Sequence, residues 1–301
     1  MRCSAVALLL AASLLIAVIG SDGIRSTTSS ATTKYNALFS FGDSVTETGN
    51  ICINSNSTEL GTLTLTHPPY GMTYFGRPSC RWSNGRVVID FIEIRGRGKI
   101  CCYSLILPVP AQALGLPLLP PSKSKGKDFR RGANMAITGA TALNFSFYKT
   151  LGVEDPLWNH GPLSTQIQWF EELIPSICGA KKDCKQFLGK SLFVFGEFGG
   201  NDYNAQLFEF LFTVEKAMKN TPMVVTAIVN GFSNPLETCC GAGGGKYNFD
   251  FARCGMPGAT TACHNPSARL SWDGVHPTEA ANKIVADSWL NGPYCTPPIL
   301  S

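Results

Sequence analysis

Four short polar stretches carry the residues able to do nucleophilic acyl chemistry. Hydrolysis of an ester needs a nucleophile, a base that takes its proton, a group that holds the base, and donors for the developing oxyanion. Ser44 can be the nucleophile, because it follows Gly42-Asp43 directly after the apolar run Ala37-Leu38-Phe39-Ser40-Phe41. Of the four histidines, His276 stands three residues after a carboxylate, in the loop Trp272-Asp273-Gly274-Val275-His276. Asp273 can accept from one ring nitrogen and fix the tautomer, which leaves the other nitrogen for Ser44. Gly139 offers a backbone N–H without side-chain bulk, and Asn201 offers a side-chain amide donor. Each piece alone also fits a bland role: Gly-Asp-Ser makes an ordinary turn, and Asp-x-x-His is most often a polar surface loop.

Other chemistries fit less well. Val45-Thr46 follows Ser44, so the GxSxG elbow is absent. The Gly241 to Lys246 stretch has the wrong glycine register for a phosphate loop, and Tyr247 stands where Ser or Thr is needed. Cys178, Cys184, Cys239, Cys240, Cys254 and Cys263 include no CxxC pair, which argues against zinc; ester hydrolysis of this kind requires neither metal nor cofactor.

A sheet must position these residues. Ala37 to Phe41, Ser191 to Phe195 and the run ending near Met135, inside the strand-like stretch Gly132 to Ala140 that closes in small residues, read as buried strands. Ser44 and Asn201 both fall just past a strand's carboxyl end, the edge where open parallel α/β sheets bind ligands. Asp43, Ser44 and Thr46 supply N-cap chemistry for a helical turn after the first strand. Helical spacing appears at Val87, Val88, Phe91 and Ile92, at Ile167, Phe170, Leu173 and Ile174 within Leu163 to Ile177, and broadly from Leu207 to Val229. A last helix follows His276, with Pro277 and Glu279 expected in its first turn. His67 to Trp82 reads as an irregular surface segment.

The helix at Val87 does not finish. Arg95-Gly96-Arg97-Gly98-Lys99 breaks it, and Ala111 to Gly115 resumes as a helix end; without the 18 residues Glu93 to Pro110 the two halves would join. Three strands make a small sheet for 301 residues, and none is evident between Asp202 and Asp273.

Composition sets the compartment. With 44% hydrophobic and 15% charged residues the chain can bury a sizeable core. Residues 1–21 match a signal peptide, a Ser/Thr-rich tail occupies 22–35, and a single domain is expected over 36–301. Twelve cysteines in an exported chain argue for disulfides, whose pairing the sequence leaves open. Asn56-Ser57-Thr58 and Asn144-Phe145-Ser146 are glycosylation acceptors. The formal charge of +4 falls to +1 once Arg2 and the net +2 of Glu93 to Lys99 are set aside. Nothing in it favours nucleic acid or an anionic membrane surface.

Taken in order, the blocks Phe41-Gly42-Asp43-Ser44 with Thr48-Gly49-Asn50, Gly132-Ala133-Asn134 with Gly139-Ala140-Thr141, Gly199-Gly200-Asn201-Asp202, and Asp273-Gly274-Val275-His276 resemble the plant-type GDSL esterase/lipases of the SGNH hydrolase superfamily. The resemblance implies a three-layer α/β/α, flavodoxin-like parallel sheet. It also implies Ser44 as nucleophile, His276 as base, Asp273 orienting it, and an oxyanion hole from the Ser44 N–H, the Gly139 N–H and the Asn201 side chain. The implied activity is that of a secreted carboxylesterase or lipase acting on a small-molecule or lipid ester without cofactor. An acyltransferase on the same triad and a non-catalytic truncated product are the alternatives. Three departures stand out: Glu93 to Pro110 is an insertion, a segment carrying further strands is missing near 231–232, and Thr138 replaces a usual glycine.

Overall fold

The computed structural model describes residues 2–3, 35–92, 118–150, 161–179, 181–196, 198, 200–202, 237–244, 247–249, 252–292 and 295–300. The signal-like stretch beyond Cys3, the insertion 93–110, the helical pattern 207–229 and the junction at 231–232 lie outside them. Arg2–Cys3 pairs antiparallel with Cys295–Thr296.

Three parallel strands form the sheet, in the order β2-β1-β3: β1 is Leu38–Phe41, β2 Gly132–Asn134 and β3 Leu192–Phe195. These are the three strands the sequence leads one to expect, except that the expected burial of Ser191 to Phe195 does not hold: at the sheet edge only Leu192 of β3 is buried, and Phe195 is 58% exposed. The first in sequence is central, with Leu38 in register with Gly132 on one side and Leu192 on the other. All four residues of β1 are buried, as in a strand covered on both faces, and only Ser40 interrupts its apolar run.

Side chains alternate across β1 and so define two flanking layers. Leu38 packs with Val88, Ile89 and Ile92, and with Ala286, Trp289 and Leu290. The first three belong to Val88–Ile92 and the last three to Glu279–Asn291. Phe39 and Phe41 point the other way, edge-on to Phe170 at 5.0 and 5.8 Å between ring centres. Phe170 lies on the helix Leu163–Cys178, beside the helix Lys181–Gly189. The result is helix, sheet, helix, a partial flavodoxin-like α/β/α arrangement. Numbered in order, the helices are α1 (Asn50–Asn54), α2 (Ser57–Thr62), α3 (Val88–Ile92), α4 (Phe145–Thr150), α5 (Leu163–Cys178), α6 (Lys181–Gly189) and α7 (Glu279–Asn291).

Local expectations need three adjustments. On α5 the inward face is rotated: Gln166 is fully buried while Ile167 is 39% exposed. Thr278 caps α7 by accepting from the Ala281 N–H at 3.2 Å, so Pro277 precedes the cap and only Glu279 lies in the first turn. The segment His67 to Trp82 is irregular, yet Tyr70 within it is 1% exposed and is no surface residue. Among the described residues no helix is long and apolar enough to cross a membrane.

Cys52 is bridged to Cys80, Cys178 to Cys184, Cys239 to Cys263 and Cys240 to Cys254, and Cys295 is disulfide-bonded as well.

Candidate active site

Ser44 sits just beyond the carboxyl end of β1, 8% exposed. Its approach is clamped by α5, because Gln166 accepts from the Gly42 N–H at 3.0 Å and donates to the Gly42 carbonyl at 2.8 Å. No side chain fits at Gly42: a Cβ there would lie 2.3 Å from Thr46 Oγ1 and 2.6 Å from the Gly196 carbonyl. Asp43 then opens a turn. Its carbonyl accepts from Thr46 and Glu47, and its Oδ1 accepts from the Val45 N–H at 3.0 Å. That one turn is all that follows Ser44, since α1 begins only at Asn50.

From the opposite end of the chain, the loop before α7 brings His276 to Ser44. Nε2 lies 2.9 Å from Ser44 Oγ, and Nδ1 lies 2.8 Å from Asp273 Oδ2. Asp273 is saturated. Oδ1 accepts from the Val275 and His276 amides at 3.0 and 2.8 Å, and Oδ2 accepts from the Tyr70 hydroxyl at 2.8 Å as well as from His276. Burial alone would raise the Asp273 carboxyl, but the His276 charge and the hydrogen bonds from His276 and Tyr70 outweigh it and hold the group below its ordinary value. Burial, together with the adjacent Asp273 charge, pushes the Tyr70 phenol upward, so it stays a neutral donor.

The Gly- and Cys-rich region braces this loop. Cys239 and Cys240 donate backbone hydrogen bonds to Ser271 and Trp272 at 3.0 and 2.8 Å, and each is tied by its own disulfide to the segment that follows. Its role here is support for the histidine loop.

Three residues near the site carry no obvious sequence signal. The Trp82 indole stacks on the His276 ring at 4.8 Å and 21°. Its Nε1 donates to Thr138 Oγ1 at 2.6 Å, and the Thr138 hydroxyl donates to Glu47. Glu47 is fully buried; burial lifts its carboxyl to about 7 against the hydrogen bonds from Thr138 and Ile51 that oppose the rise. Tyr70 and Trp82 hide in a Pro- and Gly-rich stretch, where only the aromatic content hints at burial.

Gly139 has a positive φ of 75°. Among the described residues neither its N–H nor that of Ser44 donates a hydrogen bond. The Asn201 amide donates to Asp43 Oδ2 at 3.2 Å and to the Ala140 carbonyl at 3.0 Å, so it joins the Ser44 turn to the Gly139 loop. Asp202 accepts from the Ala142 and Leu143 amides at 2.9 and 3.2 Å and from Tyr148. Beneath them Asn50 donates to the Asn134 and Ala136 carbonyls at 2.7 and 2.9 Å, and Asn134 to the Thr46 carbonyl at 2.6 Å. The sequence blocks are thus joined by hydrogen bonds, buried at Asn50 and Asn134, part-buried at Asn201 and exposed at the Asp202 contacts with Ala142 and Leu143. Asn56 and Asn144, both exposed, lie apart from them. Each caps a helix start through Oδ1, Asn56 accepting from Thr58 and Glu59 and Asn144 from Phe147.

Comparison with known proteins gives the family. The model of the family described as GDSL-like Lipase/Acylhydrolase matches in two pieces, residues 38–229 and 203–289. GDSL esterase/lipase At5g45910 of Arabidopsis thaliana is 31% identical over 377 aligned positions, covering 91% of this chain and 95% of that protein. GDSL esterase/lipase At1g28580, from the same plant, is 31% identical over 367 positions covering 88% and 87%. An alignment of 377 positions against a chain of 301 residues leaves at least 76 positions of that relative without a counterpart here. With the family model matched over most of its length and relatives 31% identical across about nine-tenths of it, the chain belongs to the GDSL-like lipase/acylhydrolase family, hydrolases acting on ester bonds.

Proposed function

We propose that this chain is a secreted carboxylic-ester hydrolase that works through Ser44, His276 and Asp273 by an acyl-enzyme intermediate. The observation that carries this reading is the continuous hydrogen-bonded line from Ser44 Oγ through both ring nitrogens of His276 to Asp273. His276 Nε2 takes the Ser44 proton as Oγ attacks the ester carbonyl, and the imidazolium so formed is stabilised by Asp273. The same proton passes to the leaving alcohol; water then attacks the acyl-enzyme with His276 again as base. The Ser44 and Gly139 amides are unengaged donors suited to the oxyanion. Asn201 joins them by releasing its longer contact, that with Asp43. No metal or cofactor takes part in this sequence.

Secretion is supported by the apolar stretch within residues 1–21, by the disulfides, and by exposed acceptors at Asn56 and Asn144 that suit glycosylation. The unmatched positions in the alignment, and a family match that breaks into two pieces overlapping at 203–229, support a missing segment near 231–232. Glu93 to Pro110 would be the reverse, a retained insertion. Sequencing the full-length transcript tests both; a dominant message encoding this chain as it stands would overturn the idea.

The activity test uses the purified mature chain and p-nitrophenyl acetate. Ser44→Ala should lower kcat by at least about a thousandfold and abolish labelling by a fluorophosphonate. Unchanged hydrolysis in that variant would overturn the assignment. Added methanol distinguishes transfer from hydrolysis, since an acyltransferase would divert most of the acyl group to the methyl ester.

A further inference from the structure

His276 is held by two hydrogen bonds that lie in the plane of its ring, to Ser44 through Nε2 and to Asp273 through Nδ1. Two such bonds fix an axis and leave the ring free to tilt about it. Only a contact on the ring face removes that freedom, and the Trp82 indole supplies one, 4.8 Å away and nearly parallel at 21°.

The indole is itself fixed. Its N–H can only donate, so Thr138 Oγ1 must accept from it, which commits the Thr138 proton to Glu47. The Thr138 amide donates to the same Glu47 oxygen at 2.7 Å, and the Ile51 amide donates to the other. The Tyr70 ring meets Trp82 at 5.7 Å and 89°, and its hydroxyl ends on Asp273. We infer that Trp82 is a positioning residue for His276: anchored through Thr138 to Glu47, its face sets the tilt of the imidazole and stabilises the imidazolium formed during acyl transfer. A cation over an indole face within about 6 Å is attracted by the ring quadrupole, most strongly away from water.

The titratable and charged groups around this stack are Asp273 at Nδ1, the neutral Tyr70 with the Arg253 charge acting on it, Glu47 beyond Thr138, and Asp43 acting on Glu47. Burial lifts Glu47 to about 7; protonation would leave one carboxyl oxygen able to accept from Thr138 but would remove the charge that strengthens that hydrogen bond. The anchor is therefore at its firmest with Glu47 ionised.

The inference rests on the Ser44–His276–Asp273 reading, so its test has two arms. In the first, Trp82→Leu should lower kcat for p-nitrophenyl acetate about tenfold with KM little changed. It should also move the acid limb of the kcat/KM profile to lower pH by roughly half a unit to one unit. Trp82→Phe keeps a ring face without the N–H. It should restore most of the limb position while kcat stays depressed, and Thr138→Val should reproduce that loss of kcat. In the second arm the four histidines are followed by NMR, with His276 assigned by the signal lost in His276→Gln. Its titration midpoint should fall in Trp82→Leu and largely recover in Trp82→Phe, whether or not the chain turns over an ester. An unchanged midpoint in Trp82→Leu would overturn the inference, and if that variant fails to fold, parent-like kcat in both Trp82→Phe and Thr138→Val would do so. Failure of the triad reading shows instead as hydrolysis that survives Ser44→Ala.

Discussion

Replacing Tyr70 by Phe removes one hydrogen-bond donor to a buried carboxylate, Asp273, whose other partners stay in place. Asp273 accepts four hydrogen bonds: from the Val275 amide at 3.0 Å and from the His276 amide, the His276 ring and the Tyr70 hydroxyl at 2.8 Å each. A hydrogen bond to a charged group is worth about 1.5–3 kcal/mol, so Tyr70→Phe should lose that much stability at pH 7. Two backbone amides still orient the carboxylate, which limits the effect on kcat to about tenfold, far less than the roughly 10⁴-fold expected when the carboxylate itself is replaced by an amide. The sign with pH follows from Asp273 lying below its ordinary value in the fold. A depressed folded-state carboxyl contributes stability that is fully present above its unfolded value near 4 and is lost as pH falls through the folded one. Without Tyr70 the folded value moves up towards the unfolded one, so the variant's deficit is constant above about pH 5 and narrows below about pH 4. Urea unfolding of parent and variant between pH 7 and pH 3, with kcat measured at pH 7, reads all three quantities. A variant matching the parent in urea midpoint and kcat, or a deficit that widens towards acid, would refute the reasoning.

Two further outcomes follow from the surroundings of the site. Glu47 titrates at about 7 in the fold against an ordinary 4.5, so the folded chain holds a proton that the unfolded chain has released. Stability should therefore fall as pH rises from about 4.5 to about 7, by on the order of 3 kcal/mol from this group, and Glu47→Gln should remove that slope whatever its absolute stability. Equal slopes in the two proteins, by denaturant midpoints across that range, would contradict the assignment. For the histidine loop, the paired variant Cys240→Ser/Cys254→Ser opens a bridge of 14-residue separation beside Trp272. It should lower stability by about 3 kcal/mol and depress kcat more than KM; undiminished thermal stability and turnover would show that the bridge does not brace the loop.

Some of this was legible in the chain because the physics is local. A strand packed between helices is mostly apolar, so Leu38 to Phe41 and Leu192 to Phe195 announce themselves; that the second is an edge strand with Phe195 58% exposed is not written in its residues. Asp273 and His276 lie three residues apart, so their contact needs only the turn that Gly274 allows. Gln166 shows where such reading ends. Within an apolar helical spacing it looks like an outward residue, and Ile167 like an inward one, yet the rotation of α5 against β1 buries the amide on Gly42 and exposes the isoleucine. Helix propensity and periodicity do not set that rotation; the packing of Phe39 and Phe41 against Phe170 does.

What the sequence determined by itself was the set of reactive groups and the strand ends on which Ser44 and Asn201 stand, since residue type and local periodicity specify these without reference to distant chain. Only the tertiary structure decided which groups meet. Ser44 and His276 are 232 positions apart, and Tyr70 reaches Asp273 across 203. The indole of Trp82 meets the His276 face where Thr138, beyond β2, holds the indole and Ser44, beyond the neighbouring β1, holds the ring. A donor or a ring face is encoded in a side chain, but its partner is fixed by the packing of layers that no local pattern records.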